Sequence, residues 1–354
     1  MMYMSRMVGA LVTAAAASSA LAQPDSDDDF QWSTVGAVGN AAYADSNPDY
    51  AHQVVNGRGS VGYEFRISTL ETTTAQWMEF LNAYGGPSGS PNQFWDATPT
   101  WWNAWPVGAE RYGFRTDVEN APMSPVFGAS WRMSAMYCNW LHNGKGSSPD
   151  SLLTGAYDVS SWGRLPDGNL TDGATHSAGA LFWIPTFDEQ LKAFQYDPNR
   201  YGTDQGGWWL ARNKRDTLGV SGPPGMGDTS AGYTVPDAPG AELNIPLGAY
   251  ADSLSPWGLW DTSGGTSEWN EEFFPGYSPP FGTFAYERGW MDAEAGEGSA
   301  RSALDMIWGI GSGNVQLTTF HGLRIASSLP APSCTMVFVL SVQFASKLHR
   351  RRLL

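Results

Sequence analysis

Turn-forming residues interrupt this chain at intervals too short for long regular elements. It carries 41 glycines and 23 prolines in 354 residues. From residue 30 to 329, short apolar runs alternate with Gly, Pro, Asn, Asp and Ser clusters. Gly reaches backbone conformations closed to other residues and Pro withholds an N–H, so each cluster tends to end the element before it. Coiled coils and collagen are excluded. Gly and Pro together stay below the roughly 25–30% typical of low-complexity disorder. A 42% hydrophobic and 13% aromatic content supplies a packed core. No apolar run reaches the roughly 18 residues of a membrane-spanning helix. No internal repeat is present.

Three segments carry helical periodicity. After Thr72-Thr73-Thr74, the residues Trp77, Phe80, Leu81 and Tyr84 recur at i, i+3, i+4 and i+7, and Gly85-Gly86 ends the run. A second helix is predicted from Ser130, with Met133, Met136, Tyr137, Trp140 and Leu141 as its apolar stripe and Gly144 as its stop. A third begins at Thr186, with Glu189 three residues on, the spacing of a capping box. Leu191 and Phe194 face inward, and Asp197-Pro198 closes it. Val61 to Ile67 alternates with the period of a strand, and Gly322 to Ala326 does so more weakly. Residues 86–125 and 197–250 read as irregular. Loops that long are uncommon unless functional or pinned, and bound cations are one way to pin them.

Both ends read as processing signals. Residues 1–22 hold Arg6, an Ala-rich apolar stretch from Val8 to Ala17, and Ala20-Leu21-Ala22, the layout of a secretory signal peptide cut after Ala22. Residues 23–54 read as an acidic linker and N-terminal extension, with Asp25, Asp27, Asp28 and Asp29 at its start. At the far end, Pro330-Ala331-Pro332-Ser333 precedes an apolar run from Cys334 to Ala345, then Lys347 and Arg350-Arg351-Arg352. That layout resembles PEP-CTERM sorting tails, so residues 330–354 form the expected tail. The resemblance implies an exosortase-type sorting machinery as partner and the cell envelope or extracellular matrix as destination. Ala331 stands where such tails have Glu, and Gln343 interrupts the apolar run. The net charge is −15. Loss of both ends would remove five basic residues and no acid. So acidic a surface disfavours a nucleic-acid partner, which needs a basic face to displace counterions, and favours cations.

The order of segments between the ends resembles a known family. YEFRISTLETTTAQWMEFLNAYG is similar to the opening strand and first helix of the formylglycine-generating enzyme, or sulfatase-modifying factor, family. PVFGASWRMSAMYCNWLHNG resembles its second helix, and FWIPTFDEQLKAFQYDP its LPTEAEWEYAA segment. SPWGLWDTSGGTSEWNEEF resembles its GLYDMSGNVWEW signature, and HGLRIAS its closing GFR strand. The domain is placed at residues 55–329. The resemblance implies an α+β fold with a C-type-lectin-like core, few short helices and strands, and calcium in the loops.

Within the signature, Asp261, Gly264, Thr266 and Glu268 stand at spacings 0, 3, 5 and 7. Two carboxylates with main-chain carbonyls in a Gly-containing turn suit a hard cation such as Ca²⁺. The alternative is a surface acidic turn capped by Trp269. The four positions match calcium ligands of the family, with Gly264 and Thr266 acting through main-chain oxygens. Gly265 replaces the family's usual Asn, a change that loosens the turn. Asp228 and Asn244 are candidates for a second calcium site upstream.

The catalytic chemistry fits less well. The resemblance implies a copper-binding cysteine pair that oxidises a substrate cysteine to formylglycine. Arg288, Gly289, Trp290 and Arg301 look retained, but the chain has two cysteines, Cys138 on the second helix and Cys334 in the tail. A Cu(I) centre needs soft ligands that this stretch lacks. The histidines His52, His142, His176 and His321 form no facial-triad spacing. Glu271 and Glu272 are no sign of glycosidase chemistry in so acidic a chain, and no Gly-x-Ser-x-Gly elbow is present. Two readings stand. The first is an exported, non-catalytic binding or matrix-associated module whose exposed tryptophans meet extracellular polysaccharide or protein. The second is an oxidoreductase with a non-cysteine centre, such as iron held by His321 and nearby carboxylates.

Overall fold

The computed structural model describes residues 30–44, 55–89, 98–163, 175–217, 219–238, 240–275, 286–291, 307–311 and 321–330. Residues 1–29 and 331–354, which take in the segments read from sequence as a signal peptide and all but the first residue of a sorting tail, lie outside the described residues, as do His52, Arg301 and Cys334. Among the described residues, three α-helices and twelve short strands make a loop-rich α+β architecture. The helices are α1 (Thr74–Ala83), α2 (Trp131–His142) and α3 (Phe187–Gln195).

The first sheet combines β1 (Trp32–Val35), β2 (Phe65–Ser68), β12 (Ala326–Ser327) and β5 (Phe182–Trp183), in the order β1-β2-β12-β5. All three pairings are antiparallel. The sheet begins inside the stretch read from sequence as linker and extension, since Val35 pairs with Phe65. The alternation expected for the 61–67 run survives in β2 as apolar Phe65 and Ile67 set against polar Arg66 and Ser68, but all four are buried. Arg66 is tolerated there because its guanidinium lies 4.8 Å over the Trp32 ring and donates to the Ser328 carbonyl and Ser327 Oγ.

A second sheet, in the order β10-β9-β8-β11, comprises β8 (Ser267–Pro275), β9 (Tyr286–Met291), β10 (Ile307–Gly311) and β11 (His321–Gly322). β8 follows the signature turn directly. β11 pairs with it in parallel, setting His321 beside Ser267. The β8–β9 register shifts between Trp269 and Phe273, the mark of a bulge. On β9, Trp290 pairs with Trp269 and with Trp308 of β10. Two small hairpins complete the set: β3 (Ala104–Pro106) with β4 (Tyr112–Phe114), and β6 (Tyr196–Asp197) with β7 (Gly207–Trp208).

The helices start where the sequence places them. Thr73 caps α1 and Thr186 caps α3, each in a full capping box, with Gln76 and Glu189 reaching back. Ser130 caps α2. Each cap satisfies a backbone N–H that the first helical turn leaves without a partner. In α2, every residue from Trp131 to Leu141 is buried, more than the single apolar stripe requires. Asn139 is buried with its side chain fully paired: it donates to the Leu152 and Tyr157 carbonyls and accepts the Tyr157 N–H.

Aromatic rings weld α1 to α2. Phe80 lies 5.5 Å from Trp77, 5.3 Å from Tyr137 and 5.3 Å from Trp140 between ring centroids. Trp131 and Trp269 then carry the helix layer to the second sheet, their indole N–H groups donating to the Asn270 and Ala129 carbonyls. Phe80 is the shared neighbour of four rings, Tyr84 being the fourth, so Phe80→Ala is expected to cost about 3–5 kcal/mol, read as a shift of the urea midpoint. A loss under 1 kcal/mol would show that these rings are not one packed unit.

Candidate functional site

The signature turn is built around a buried guanidinium. Arg324, between β11 and β12, donates through Nε and Nη2 to both oxygens of Glu268 at 2.9–3.2 Å. It also donates to the Trp260 and Ser68 carbonyls. One side chain therefore joins the residue before Asp261, the end of the turn and the end of β2. Arg324 and Glu268 are both buried. Gln190 of α3 adds a longer bond to Glu268, at 3.3 Å.

Glu71 closes the turn from the other side. Its carboxylate accepts the Thr266 N–H and the Thr266 hydroxyl, the latter at 2.8 Å. Gly265 lies against it, with φ of +60° and so little room that an added Cβ would stand 2.2 Å from Glu71 Oε1. The expected loosening is therefore absent: glycine at 265 lets a carboxylate pack on the turn. Gly264, at φ +88°, is equally confined by Ser230 and Thr229. Asp261 adopts φ of +54° and accepts the Gly248 N–H at 2.6 Å. It also lines a small cavity, about 50 Å³, with Ser230, Glu242, Tyr250 and Gly265.

These contacts bring Glu71, Asp261 and Glu268 into electrostatic reach of one another. Burial, reinforced by Glu268, pushes the Glu71 carboxyl well above its ordinary range. Burial likewise pushes Asp261 up to about 6, with Glu268 adding to it and the Gly248 N–H and Arg324 opposing it. Burial disfavours the charge of Arg324, yet Glu268 holds its pKa above the ordinary value. A second buried arginine, Arg212, reaches the turn through the Thr262 carbonyl. Three carboxylates thus share the field of Arg324, and the excess of negative charge is what a bound cation or proton would balance.

The four residues singled out from sequence are therefore neighbours, and the acidic surface turn is excluded by burial. Their donors fit a hard cation in kind, being oxygens in a tight turn, although Glu268 would share its carboxylate with Arg324. Among the described residues, no group of three or more His, Cys, Asp or Glu side chains is disposed to hold a metal. The calcium reading takes half its ligands from main-chain carbonyls. Upstream, Asp228 accepts both guanidinium arms of Arg215 and the Val220 N–H.

The remaining candidates fall into two groups. His321 is buried and stacked on Trp269, ring centroids 4.5 Å apart, and burial pushes its pKa down to about 3. It sits in the core rather than beside a cleft. Cys138 is 0% exposed within α2, and burial, with Glu271 nearby, pushes its thiol well above the ordinary value. A thiol held protonated is a poor nucleophile and a poor metal ligand. Sequence reasoning missed Glu71 and the Glu271 cluster. Glu271 of β8 is buried and accepts from Tyr157 Oη at 2.5 Å, while His176 Nδ1 lies 3.0 Å from each of its oxygens.

Residues 37–303 match the sulfatase-modifying factor enzyme 1-like domain, and the chain belongs to that family. Among solved structures it is similar to CarF, at 14% identity and a TM-score of 0.42, over 85% of this chain and 99% of that one. It is also similar to Treponema denticola variable protein 1, at 16% identity and a TM-score of 0.46, over 85% and 95% of the two chains. No curated protein sequence matches it.

Removing Arg324 strands Glu268 in the interior. Arg324→Met is expected to destabilise the fold by about 3–5 kcal/mol, and adding Glu268→Gln should recover much of that. Denaturant titration of both variants checks it. Equal stability of Arg324→Met and the wild type would remove the guanidinium from its central role.

Proposed function

We propose that the chain is an exported, non-catalytic binding or matrix- or envelope-associated protein built on a sulfatase-modifying-factor domain. The observation that carries this reading is the position of Cys138. It is the one cysteine of the domain, and it is sealed in the aromatic core with its thiol protonated. A copper-thiolate oxidase needs two accessible thiolates, and the stretch where the family resemblance places them has none. The exposed indoles of Trp101 and Trp105, on either side of buried Asn103 and Ala104, support a surface for extracellular polysaccharide or protein. Residues 1–22 and 330–354 are the proposed export and sorting signals, and the exosortase-type machinery the proposed partner of the tail.

Purified residues 23–329 should not convert a sulfatase-type cysteine peptide to its aldehyde with copper and dioxygen. Mass spectrometry of the peptide reads this directly, and stoichiometric turnover would overturn the non-catalytic reading. Metal analysis of untagged protein addresses the iron alternative, because one iron per chain would restore an oxidoreductase.

Calcium is the proposed structural ion of the turn, held by Asp261, Glu268 and the carbonyls of Gly264 and Thr266. It would supply positive charge among carboxylates that the arginines leave in excess. An ion bound only by the folded state stabilises it, by about 2.7 kcal/mol at a hundredfold excess over Kd. Chelation should therefore lower Tm, and Asp261→Asn should remove that sensitivity. Asp261 is the cleaner variant, since truncating Glu268 also unpairs Arg324. A melting curve indifferent to chelator would argue that protons and arginines balance the cluster alone.

A further inference from the structure

The segment from His176 to Leu181 has no regular structure and leads into β5, an edge strand of the first sheet. Two histidines hold its ends. At the first, the His176 backbone N–H donates to Glu271 Oε1 at 2.9 Å, and its Nδ1 lies 3.0 Å from both carboxylate oxygens. The imidazole stacks on Trp183, ring centroids 4.7 Å apart. A carboxylate accepts only, so this contact requires a proton between His176 Nδ1 and Glu271. At the other end, the Leu181 N–H donates to Nδ1 of His142, the last residue of α2, at 3.1 Å. That contact requires Nδ1 of His142 to be bare. Between them, Ser177 N–H and Oγ donate to the Ala156 and Gly155 carbonyls, bonds indifferent to pH.

A neutral His176 protonated at Nδ1 still donates to Glu271, so only the His142 end depends on the charge of its imidazole. We propose that residues 176–181 act as a proton-gated strap across Glu271 and the β5 edge, anchored at its His176 end and released at its His142 end by acid. This does not rest on the functional reading above.

The electrostatics agree with the geometry. His176 faces Glu271 of β8, Glu189 of α3 (itself bound by Tyr63) and, through Glu271, the Tyr157 hydroxyl. Burial opposes its protonation, but Glu271 and then Glu189 raise its pKa. The added attraction of the charged ring is complete below the ordinary histidine value of about 6.5 and is lost as pH climbs through the raised folded value, but the hydrogen bond from a neutral Nδ1–H remains. His142 packs against the backbone of Gly155, beside Asn143, and burial lowers its pKa. Its contribution is complete above about 6.5 and is lost as pH falls through the lowered folded value. The strap is tightest between the two.

Hydrogen exchange of the full chain from pH 4.5 to 9, corrected for the intrinsic rate, tests this. Protection of the Leu181 amide should fall on acidification, while that of the His176 amide, whose acceptor is the Glu271 carboxylate, should hold up to pH 9. His142→Gln, a non-titrating acceptor, should abolish the acid loss at Leu181. Ser177→Ala should loosen the segment at every pH alike. Imidazole proton resonances give a second measurement, with His142 titrating below and His176 above the ordinary value. Flat protection of Leu181, an acid loss that persists in His142→Gln, or a His142 that titrates above the ordinary value would overturn the proposal.

Discussion

The Arg324–Glu268 pair is the constraint on which the rest of this structure depends. A guanidinium from the closing segment lies inside the signature turn, where burial makes a lone charge costly and a paired one rigid. Through its other arms it fixes the end of β2 and the residue preceding Asp261. First and last segments of the domain, the third helix through Gln190 and the entry to the second sheet thus meet at one ion pair. Loops that could not hold themselves by regular hydrogen bonding are organised around it.

Glu71 and Asp261 then acquire their character from that pair. Neither has a guanidinium of its own; they share the field of Arg324 with Glu268 and are driven toward the protonated form. The same logic operates at Glu271, where a tyrosine and a histidine rather than an arginine meet the buried carboxylate. The acidity evident in the composition is therefore not only a solvated exterior. Part of it is internal, and it ties β8 to surrounding loops.

Local signals were legible in the sequence and long-range ones were not. The threonine caps of α1 and α3 and the Ser130 cap follow from side chains within one helical turn, and periodicity located the inward faces of Trp77, Phe80 and Leu81. The burial of Cys138 followed from its position on the second helix. Glu71 left no such trace, because its partner Thr266 is 195 residues away. The cross-strand pairing of β8 with β9 also escaped, since a run of Glu, Trp and Asn has no clear period of two. Gly265 was misjudged for a related reason: the residue that requires it to be glycine is Glu71, far off in the chain. The His176 contact depends on an irregular segment folding back on β8, and nothing in its composition announces that.

One consequence of the first sheet is mechanical. β1 and β12 flank β2 on opposite sides, Thr34 and Ser327 both aligning with Arg66. The two ends of the folded unit are thereby stitched to the same short strand. Tension applied beyond residue 330 would first load a two-residue strand, reinforced by the grip of Arg66 on Ser327 and Ser328, before it reached the helices. A load taken up by either of these strands would pass through one seam, whose Phe65 and Ile67 belong to the core itself.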